Sequence, residues 1–263
     1  MQIMAIVNVT LDSFFAGSRA IGDAAITKAL SLAEEGADII DIGGESTRPG
    51  SEPISAEEEI ERVIPVIESI IDKTNAKISI DTYKPEIARA AVEAGAEIIN
   101  DITGMHSQEM RELAADEHKE VVIMHMQGTP KTMQTNPTYQ DVVKEIKDFF
   151  NQRIELCEDS GINPQNIILD PGIGFGKTTQ HNLDILRNIE SFKQLSKRLL
   201  IGASRKSFIG RILQNEEHAL PPEERLEGSL AVAAYCALKG VDILRVHDVK
   251  ETIRAVKIAE LLR

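Results

Sequence analysis

The stretch Ile39-Ile40-Asp41-Ile42 is a short apolar run that carries a polar residue near its end, and runs of this kind occur eight times along the chain. In chain order they are IVNV (6–9) with Asn8, IIDI (39–42) with Asp41, ISID (78–81) with Asp81, IIND (98–101) with Asn100, VVIMH (121–125) with His125, IILD (167–170) with Asp170, LLIGASRK (199–206) with Lys206, and ILRVH (243–247) with Arg245 and His247. A buried strand that ends on a polar group must give that group a partner. The sequence therefore predicts a ring of strands whose polar ends meet at one end, where a (β/α)8 barrel keeps its active site.

Helix capping offers an alternative explanation of the polar ends, because Asp and Asn are common at helix N-caps. Capping would account for about half of these residues. It does not account for Lys206, Arg245 and His247.

Segments with helical spacing of apolar and charged residues lie between the strands and predict a parallel sheet. They run near 21–35, 55–73, 85–95, 107–118, 138–160, 179–195, 222–238 and 248–262. Eight such units can close into a barrel, and a length of 263 residues suits one domain over 1–263. An open doubly wound sheet is the second interpretation, but it would concentrate the polar ends at one switch point.

The net charge of −13 argues against nucleic acid or an anionic membrane surface as a partner. No apolar run approaches the ~18 residues that span a bilayer, and the N-terminus MQIMAIVNVT lacks the features of a signal peptide. Cys157 and Cys236 are isolated from each other, which fits buried thiols in a reducing cytoplasm. An anionic substrate would need a local positive field or a metal ion.

Two glycine-rich segments follow predicted strands. Gly43-Gly44-Glu45-Ser46-Thr47-Arg48-Pro49-Gly50 places Arg48 on a loop of small residues, which a plain surface turn would not need. The segment 170–178, DPGIGFGKT, nearly fits a phosphate loop, but Pro171 occupies the first glycine position. Its Phe175 is expected to be an exposed ring that stacks on a flat ligand, and Lys177 is either part of the site or solvated.

A candidate anion site follows the last two strands. Ser204-Arg205-Lys206-Ser207 precedes a helix, whose N-terminal N–H groups and nearby cations favour an anion. Arg245 and His247 end the eighth strand, and the last two strands of barrels often form a phosphate site.

The motifs together resemble the dihydropteroate synthase family, in order and over nearly the whole chain. They are NVTLDSF (8–14), GGESTRPGSEPIS (43–55), ISIDT (78–82), IINDI (98–102), MHMQGTP (124–130), ILDPGIGFGKT (168–178), GASRKSFIG (202–210) and RVHDV (245–249). The resemblance implies a Mg²⁺-dependent step of folate biosynthesis, in which 4-aminobenzoate joins 6-hydroxymethyl-7,8-dihydropterin diphosphate and sulfonamides mimic the aminobenzoate. It differs at Leu11, where the family commonly has Pro, and at 15–17, so the first loop is its least secure part.

The resemblance also implies roles for individual residues. Asp81, Asn100 and Asp170 would bind the pterin edge, with Lys206 at its carbonyl side. The diphosphate would be held by Arg245 and His247, supported by Asp41 and Thr47. The full implied substrate-binding set is Phe14, Asp41, Thr47, Arg48, Pro49, Asp81, Asn100, Met124, Asp170, Phe175, Lys206, Ser207, Arg245 and His247, with Asn8 as the Mg²⁺ ligand and Asp81, Lys206 and Arg245 as the catalytic residues.

Two other functions share parts of this pattern. A pterin-binding methyltransferase domain, acting on a methylfolate and a corrinoid, would have the barrel but no need of a diphosphate site. A non-catalytic folate-binding protein would require a broken site, whereas every matched polar position is intact. The segment 228–240 is rich in small residues that permit close helix contact, and the family suggests a homodimer; ordinary packing against the barrel is the alternative.

Overall fold

The structure is a computed structural model that describes residues 1–9, 18–46, 51–195 and 197–263, with the side chains of the first helix described from residue 22 onward. Eight parallel strands form a closed barrel in chain order, and the last strand pairs with the first. The strands are β1 Gln2–Asn8, β2 Ile39–Gly43, β3 Lys77–Asp81, β4 Ile98–Asp101, β5 Glu120–Met124, β6 Ile167–Asp170, β7 Arg198–Ile201 and β8 Ile243–Val246. The predicted (β/α)8 barrel is confirmed, and the open doubly wound sheet is wrong because the barrel closes.

Helices surround this barrel. They are α1 Ser18–Glu34, α2 Ala56–Ile70, α3 Pro85–Glu93, α4 Gln108–Asp116, α5 Val142–Asp159, α6 Thr179–Arg187, α7 Ile189–Lys193, α8 Ser207–Leu213, α9 Leu226–Leu238 and α10 Val249–Leu261. The segment 179–195, expected as one helix, divides at Asn188 into α6 and α7. No helix in the described ranges is long and apolar enough to cross a membrane.

Side chains other than the strand-end residues cap several of these helices. The backbone N–H groups at the starts of α2, α4, α5 and α6 donate to Ser55, Ser107, Asp141 and Thr178 respectively. Lys206 occupies the N-cap position of α8 but makes no capping bond with its side chain. At α2, α4, α5, α6 and α8, helix capping therefore does not explain the polar residues at the strand ends.

The barrel interior is layered because alternate strand residues point inward. Near the amino ends of the strands, Glu120 accepts from Lys77 at 2.7 Å and from Arg198 at 2.8 Å. An apolar layer lies next, made of Met4, Ile39, Ile98, Val122, Ile168, Leu200 and Ile243. This layer separates the lower ion cluster from the polar carboxyl end, so the interior can bind a ligand only from that upper end.

The main hydrophobic core lies outside the barrel, between the strands and the helices. Outward-facing strand residues such as Ile40, Ile80 and Val121 are fully buried there against the helices. Burial on both faces accounts for the nearly continuous apolar character of the strands.

Candidate active site

The strand register brings polar side chains from distant parts of the chain to the carboxyl end of the barrel. Asp41 pairs in register with Ser79, and Asp81 pairs with both Gly43 and Asn100. Because the inward positions alternate, Asp41, Asp81 and Asn100 all face the barrel interior. Asp170 and Arg245 reach the same end from β6 and β8.

One expected member of this set faces the other way. Met124 is the inward residue at the end of β5, in register with Asp170, and His125 turns outward against α5. The His125 ring lies edge-on to Phe149 at 4.9 Å, and its Nδ1 is 3.1 Å from Lys177 Nζ. His125 is therefore not one of the converging polar ends, because the pleat gives the inward position to its neighbour.

Arg245 is the centre of a buried ion cluster. Its Nε donates to Asp41 Oδ2 at 2.6 Å, and one terminal nitrogen donates to Asp81 Oδ2 at 2.5 Å. The Asn100 amide also donates to Asp41 Oδ2, at 3.1 Å. These contacts join four strands and fix the guanidinium at the base of the site.

The electrostatics of this cluster depend on burial as well as charge. Burial raises the pKa of Asp81 to about 7, even though the Arg245 guanidinium acts in the opposite direction. The two neighbouring carboxylates raise the pKa of Arg245 above its ordinary value, against the effect of burial. The second oxygen of Asp41, Oδ1, is buried without a hydrogen-bond partner among the described residues, so the cluster retains an unused acceptor.

A second group of residues lines the opposite wall. Asp170 Oδ1 accepts from the Gly172 N–H at 2.8 Å, and burial raises the pKa of Asp170. Lys206 Nζ donates to the carbonyl of Ile173 at 2.6 Å and lies 3.9 Å from the centre of the Phe175 ring. Burial lowers the pKa of Lys206 to about 7, with Asp170 opposing the shift.

The expected exposure of the Phe175 ring is wrong, and of the two alternatives for Lys177 the solvated one is excluded. Phe175 is not an exposed ring: it is only 9% exposed, because Lys206 covers one face and apolar residues pack beside it. Lys177 is not solvated either, since the loop folds its side chain inward to 2% exposure.

The expected anion site after β7 and β8 holds fewer cations than the sequence suggests. Burial, reinforced by Arg245, lowers the pKa of His247 to about 4, so this side chain is neutral at pH 7. Its Nδ1 and backbone N–H both contact the Ser204 hydroxyl, at 3.1 and 3.2 Å. Arg205 turns away and forms a two-point ion pair with Asp248 at 2.6 and 2.7 Å. Arg245 and Lys206 are therefore the cations that these two strands bring to the site.

An apolar rim flanks the polar residues. Ile102, Met124, Met133 and Phe175 form one buried cluster, with Tyr83 and Met126 packed against it. Met133 belongs to the 126–137 loop, and the neighbouring Gln134 amide donates to the Gly174 carbonyl at 2.5 Å. Neither Ile102 nor Met133 stands out in the sequence as a site residue, and the length of the loop after β5 is the one signal that points to Met133.

The remaining expected residues lie at the edge of the described site or outside it. Asn8 ends β1 in register with Gly43 and is half-buried, and Ser207 begins α8 and is exposed. Leu11, Phe14, Thr47, Arg48 and Pro49 lie outside the described residues, so their expected roles are unaddressed by this geometry.

Comparison with known proteins agrees with this arrangement. The model of the family described as pterin binding enzyme matches residues 4–247. The dihydropteroate synthase of Escherichia coli K12 is 46% identical over 261 residues, covering 98% of this chain and 90% of that protein. The Bacillus subtilis enzyme is 44% identical over 262 residues, covering 99% of this chain and 88% of that protein.

Solved structures give the same result. A Yersinia pestis dihydropteroate synthase with a sulfonamide drug has a TM-score of 0.93 at 42% identity, covering 100% of this chain and 94% of that one. The Xanthomonas albilineans enzyme with 4-aminobenzoic acid has a TM-score of 0.91 at 42% identity, with coverage of 99% and 92%. Fold and site thus define a barrel enzyme of the pterin-binding class. Within that class, the chain belongs to the dihydropteroate synthase family.

Proposed function

We propose that this enzyme joins 4-aminobenzoate to 6-hydroxymethyl-7,8-dihydropterin diphosphate, releasing 7,8-dihydropteroate and diphosphate. The observation that carries the proposal is the buried set of acceptors and cations at one end of the barrel. Asp81, Asn100 and Asp170 present carboxylate and amide groups to the interior, Arg245 pairs with Asp81, and Lys206 lies at the same end of the barrel. The carboxylates and the amide complement the N–H donors of a flat heterocycle. The two basic side chains complement its carbonyl group and an attached anion.

The pterin would lie between Asp81, Asn100 and Asp170. A carboxylate accepts two N–H bonds from an amino-pyrimidine edge, and the Asn100 amide offers both a donor and an acceptor. The Lys206 ammonium would donate to the pterin carbonyl, and Met124 would pack on the ring. A polar ligand here also offers donors near the buried Asp41 Oδ1, which lacks a partner among the described residues.

The diphosphate would bind toward Arg245 and His247, with Thr47 at the same end. This end carries little spare positive charge, because Arg245 already pairs with Asp41 and Asp81, and His247 is neutral. With both carboxylates ionised, one guanidinium faces two negative charges. A diphosphate therefore needs a further cation to bind.

Mg²⁺ fits that need. No group of three or more His, Cys, Asp or Glu side chains suited to a metal lies within the described ranges. Mg²⁺ does not require such a group, because it keeps several waters and binds through one or two protein oxygens together with substrate phosphates. We assign Asn8 as its protein ligand; the bound ion would neutralise charge on the leaving diphosphate.

We propose a dissociative substitution. The C–O bond to the diphosphate breaks with its electron pair on the leaving oxygen, and Arg245 and His247 donate hydrogen bonds to that anion. The dihydropterin delocalises the cation left on the methylene carbon, and the fixed charge of ionised Asp81 favours it. The neutral aminobenzoate nitrogen then forms the C–N bond, and the acidic anilinium so formed releases its proton to water, so no strong base is required.

The aminobenzoate would bind at the outer edge of the site. Phe175 and Pro49 would flank its ring, Phe14 would close over it, Arg48 would lie on the adjoining loop, and Ser207 would meet the carboxylate. Because the Lys206 ammonium covers the Phe175 face, a second ring can stack there only after that ammonium moves toward the pterin. This contact gives a physical reason for the pterin to bind first.

We also propose that two copies pair through α9 and α10. These neighbouring helices expose large apolar side chains that a second copy would cover, namely Tyr235, Leu238, Ile258, Leu261 and Leu262. The alternative is that the small residues of 228–240 serve packing within the chain. Gly228 supports this in part, because its Cα packs against Ile209 of α8. Sedimentation over a range of concentrations, with Ile258→Glu as the interface variant, tests the dimer.

We propose a cytoplasmic location because both cysteine thiols are unpaired. Cys157 and Cys236 are both buried and unpaired, and burial raises the pKa of each thiol to about 12. Unpaired thiols are typical of a reducing compartment.

The direct test of the function is an assay for dihydropteroate with both substrates and Mg²⁺. Product should form with the pterin diphosphate and not with the pterin alcohol, which keeps the ring but lacks the leaving group. Omission of Mg²⁺ with a chelator present should abolish turnover. Binding of a methylfolate with methyl transfer to a corrinoid, and no dihydropteroate, would favour the methyltransferase instead.

A further inference from the structure

A buried lysine lies behind the glycine-rich loop, on the side away from the substrates. Lys177 ends the 171–177 loop between β6 and α6, and its side chain is among the largest that are fully buried in the described part of the chain. No substrate role in the proposed reaction uses it. A buried amino group is costly unless its donors are satisfied, so the retention of Lys177 calls for a physical reason.

Three acceptors surround the Lys177 nitrogen, although burial lowers the pKa of this amine well below its ordinary value. Its Nζ lies 2.9 Å from the carbonyl of Phe175, 3.2 Å from the carbonyl of His125 and 3.1 Å from His125 Nδ1. The two N–H groups of a neutral amine already match the two carbonyl oxygens, and a protonated amine has a third donor for His125 Nδ1. Burial keeps the His125 ring neutral by lowering its pKa to about 3, and the neighbouring Lys177 acts in the same direction.

The loop is pressed closely against two neighbouring segments. A Cβ on Gly172 would lie 2.0 Å from the His125 carbonyl oxygen, and one on Gly176 would lie 2.5 Å from the Gln127 carbonyl oxygen. Both glycines have a positive φ, which other residues rarely adopt. Through its contacts with the Phe175 and His125 carbonyls, Lys177 joins the 171–177 loop to the segment that follows β5.

The opposite side of the same loop forms part of the active site. The Ile173 carbonyl accepts from Lys206, and the Phe175 ring lies beneath the Lys206 ammonium. A Cβ on Gly174 would lie only 2.8 Å from Lys206 Cδ, so the loop also holds the stem of that side chain. A shift of the loop would move Phe175 and Lys206 together.

We propose that Lys177 is a positioning residue, which fixes the 171–177 loop so that Phe175 and Lys206 face the substrates in the correct geometry. It touches neither substrate and acts through the Phe175 backbone. The consequence for aminobenzoate binding rests on the proposed function, whereas the consequence for the loop does not.

The first test measures the loop in the ligand-free protein. Lys177→Met keeps the length and the apolar stem but removes every N–H donor. Hydrogen exchange of the amides in 171–177 should become at least about tenfold faster, equivalent to ~1.4 kcal/mol of lost protection. Lys144→Met, on the exposed side of α5, is the matched control and should leave exchange in this segment unchanged.

The second test measures the site. Lys177→Met should raise the KM for 4-aminobenzoate about tenfold while kcat changes by less than about threefold, a pattern that indicates lost binding rather than lost transition-state contacts. If Lys177 acts through Phe175, the double variant with Phe175→Leu should have a KM near that of the weaker-binding single variant.

Three results would overturn the proposal. They are unchanged exchange in 171–177, KM effects of the two substitutions that simply multiply, and failure of both Lys177→Met and Lys177→Gln to yield folded protein, which would make the lysine a requirement of the fold. Absence of turnover in the unaltered enzyme would refute the proposed function instead, and the exchange experiment would still decide the role of Lys177.

Discussion

Replacing Arg245 with methionine removes the positive charge that two barrel acids share while keeping most of the side-chain length. Arg245 bonds Asp41 at 2.6 Å and Asp81 at 2.5 Å, and the Asp41 side chain has no solvent exposure. Loss of one partner of a buried ion pair costs about 3–5 kcal/mol, because the remaining charge stays buried. In a domain of this size each kcal/mol shifts the melting temperature by about 2–4 °C. We expect Arg245→Met to lower it on the order of 10 °C at pH 7.

The stability loss should depend on pH in a direction fixed by Asp81. The pKa of Asp81 is raised to about 7 in the folded protein, and removal of the guanidinium raises it further. Below the pKa of the folded state this carboxyl is protonated and no longer an unpaired charge. The deficit of Arg245→Met relative to the unaltered enzyme should therefore shrink as the pH falls toward about 7, the pKa of Asp81 in the unaltered enzyme, and stay constant below it, where Asp81 is protonated in both proteins.

The same substitution should separate the two ends of the substrate. One or two charge-assisted hydrogen bonds, each worth about 1.5–3 kcal/mol, would be lost to the diphosphate. Calorimetry should therefore show at least about tenfold weaker binding of the pterin diphosphate, with the pterin alcohol little affected. The double variant Asp41→Asn, Arg245→Met should regain part of the stability but none of the diphosphate affinity.

Two outcomes would refute this reasoning. A melting temperature within about 2 °C of the unaltered enzyme would mean that the buried ion cluster is not stabilising. Equal loss of the diphosphate and the alcohol would mean that Arg245 supports the barrel and does not bind the anion. Arg187→Met is the control, since Arg187 is 60% exposed and its ion pair should contribute less than about 1 kcal/mol.

Three further predictions concern ligand binding. Asp170→Asn should weaken the pterin by about 1–3 kcal/mol or more, because an acceptor is lost; unchanged calorimetric affinity would exclude the role. 4-Aminobenzoate should bind tightly only after the pterin diphosphate, because Lys206 covers Phe175 in the ligand-free site; tight binding to the enzyme alone would contradict this order. The affinity for the pterin alcohol should be bell-shaped with pH around 7, because as the pH rises Lys206 loses its proton while Asp81 gains its charge, each with a pKa of about 7. Lys206→Arg should remove the alkaline limb alone, and a variant that retains it would exclude Lys206 as its origin.

Local sequence patterns were sufficient to predict the fold. Strand-length apolar runs alternate with helical segments, and eight such units have few ways to pack other than a closed parallel barrel. The polar residues at the run ends also predicted which end of the barrel carries the site. Closure itself confirms the pattern, since Gln2 pairs in register with Ile243.

The direction of individual side chains could not be predicted in this way. At the ends of β4 and β5, two candidate residues are adjacent in sequence, and the pleat alone decides that Asn100 and Met124 face inward and His125 outward. A shift of one residue would exchange them. The apolar pattern of the sequence is the same in either register. Only the pairing of the strands therefore determines which side chains face inward.

The charge state of the site is likewise a property of the tertiary structure. The sequence by itself determined a barrel with acids, amides and cations at the carboxyl ends of its strands. Only the folded chain brings Arg245 to Asp41 and Asp81, across 204 and 164 residues of sequence, neutralises His247 and buries Lys177. The physical reason is that pairing and desolvation depend on distance and burial, which are set when remote strands close into one barrel.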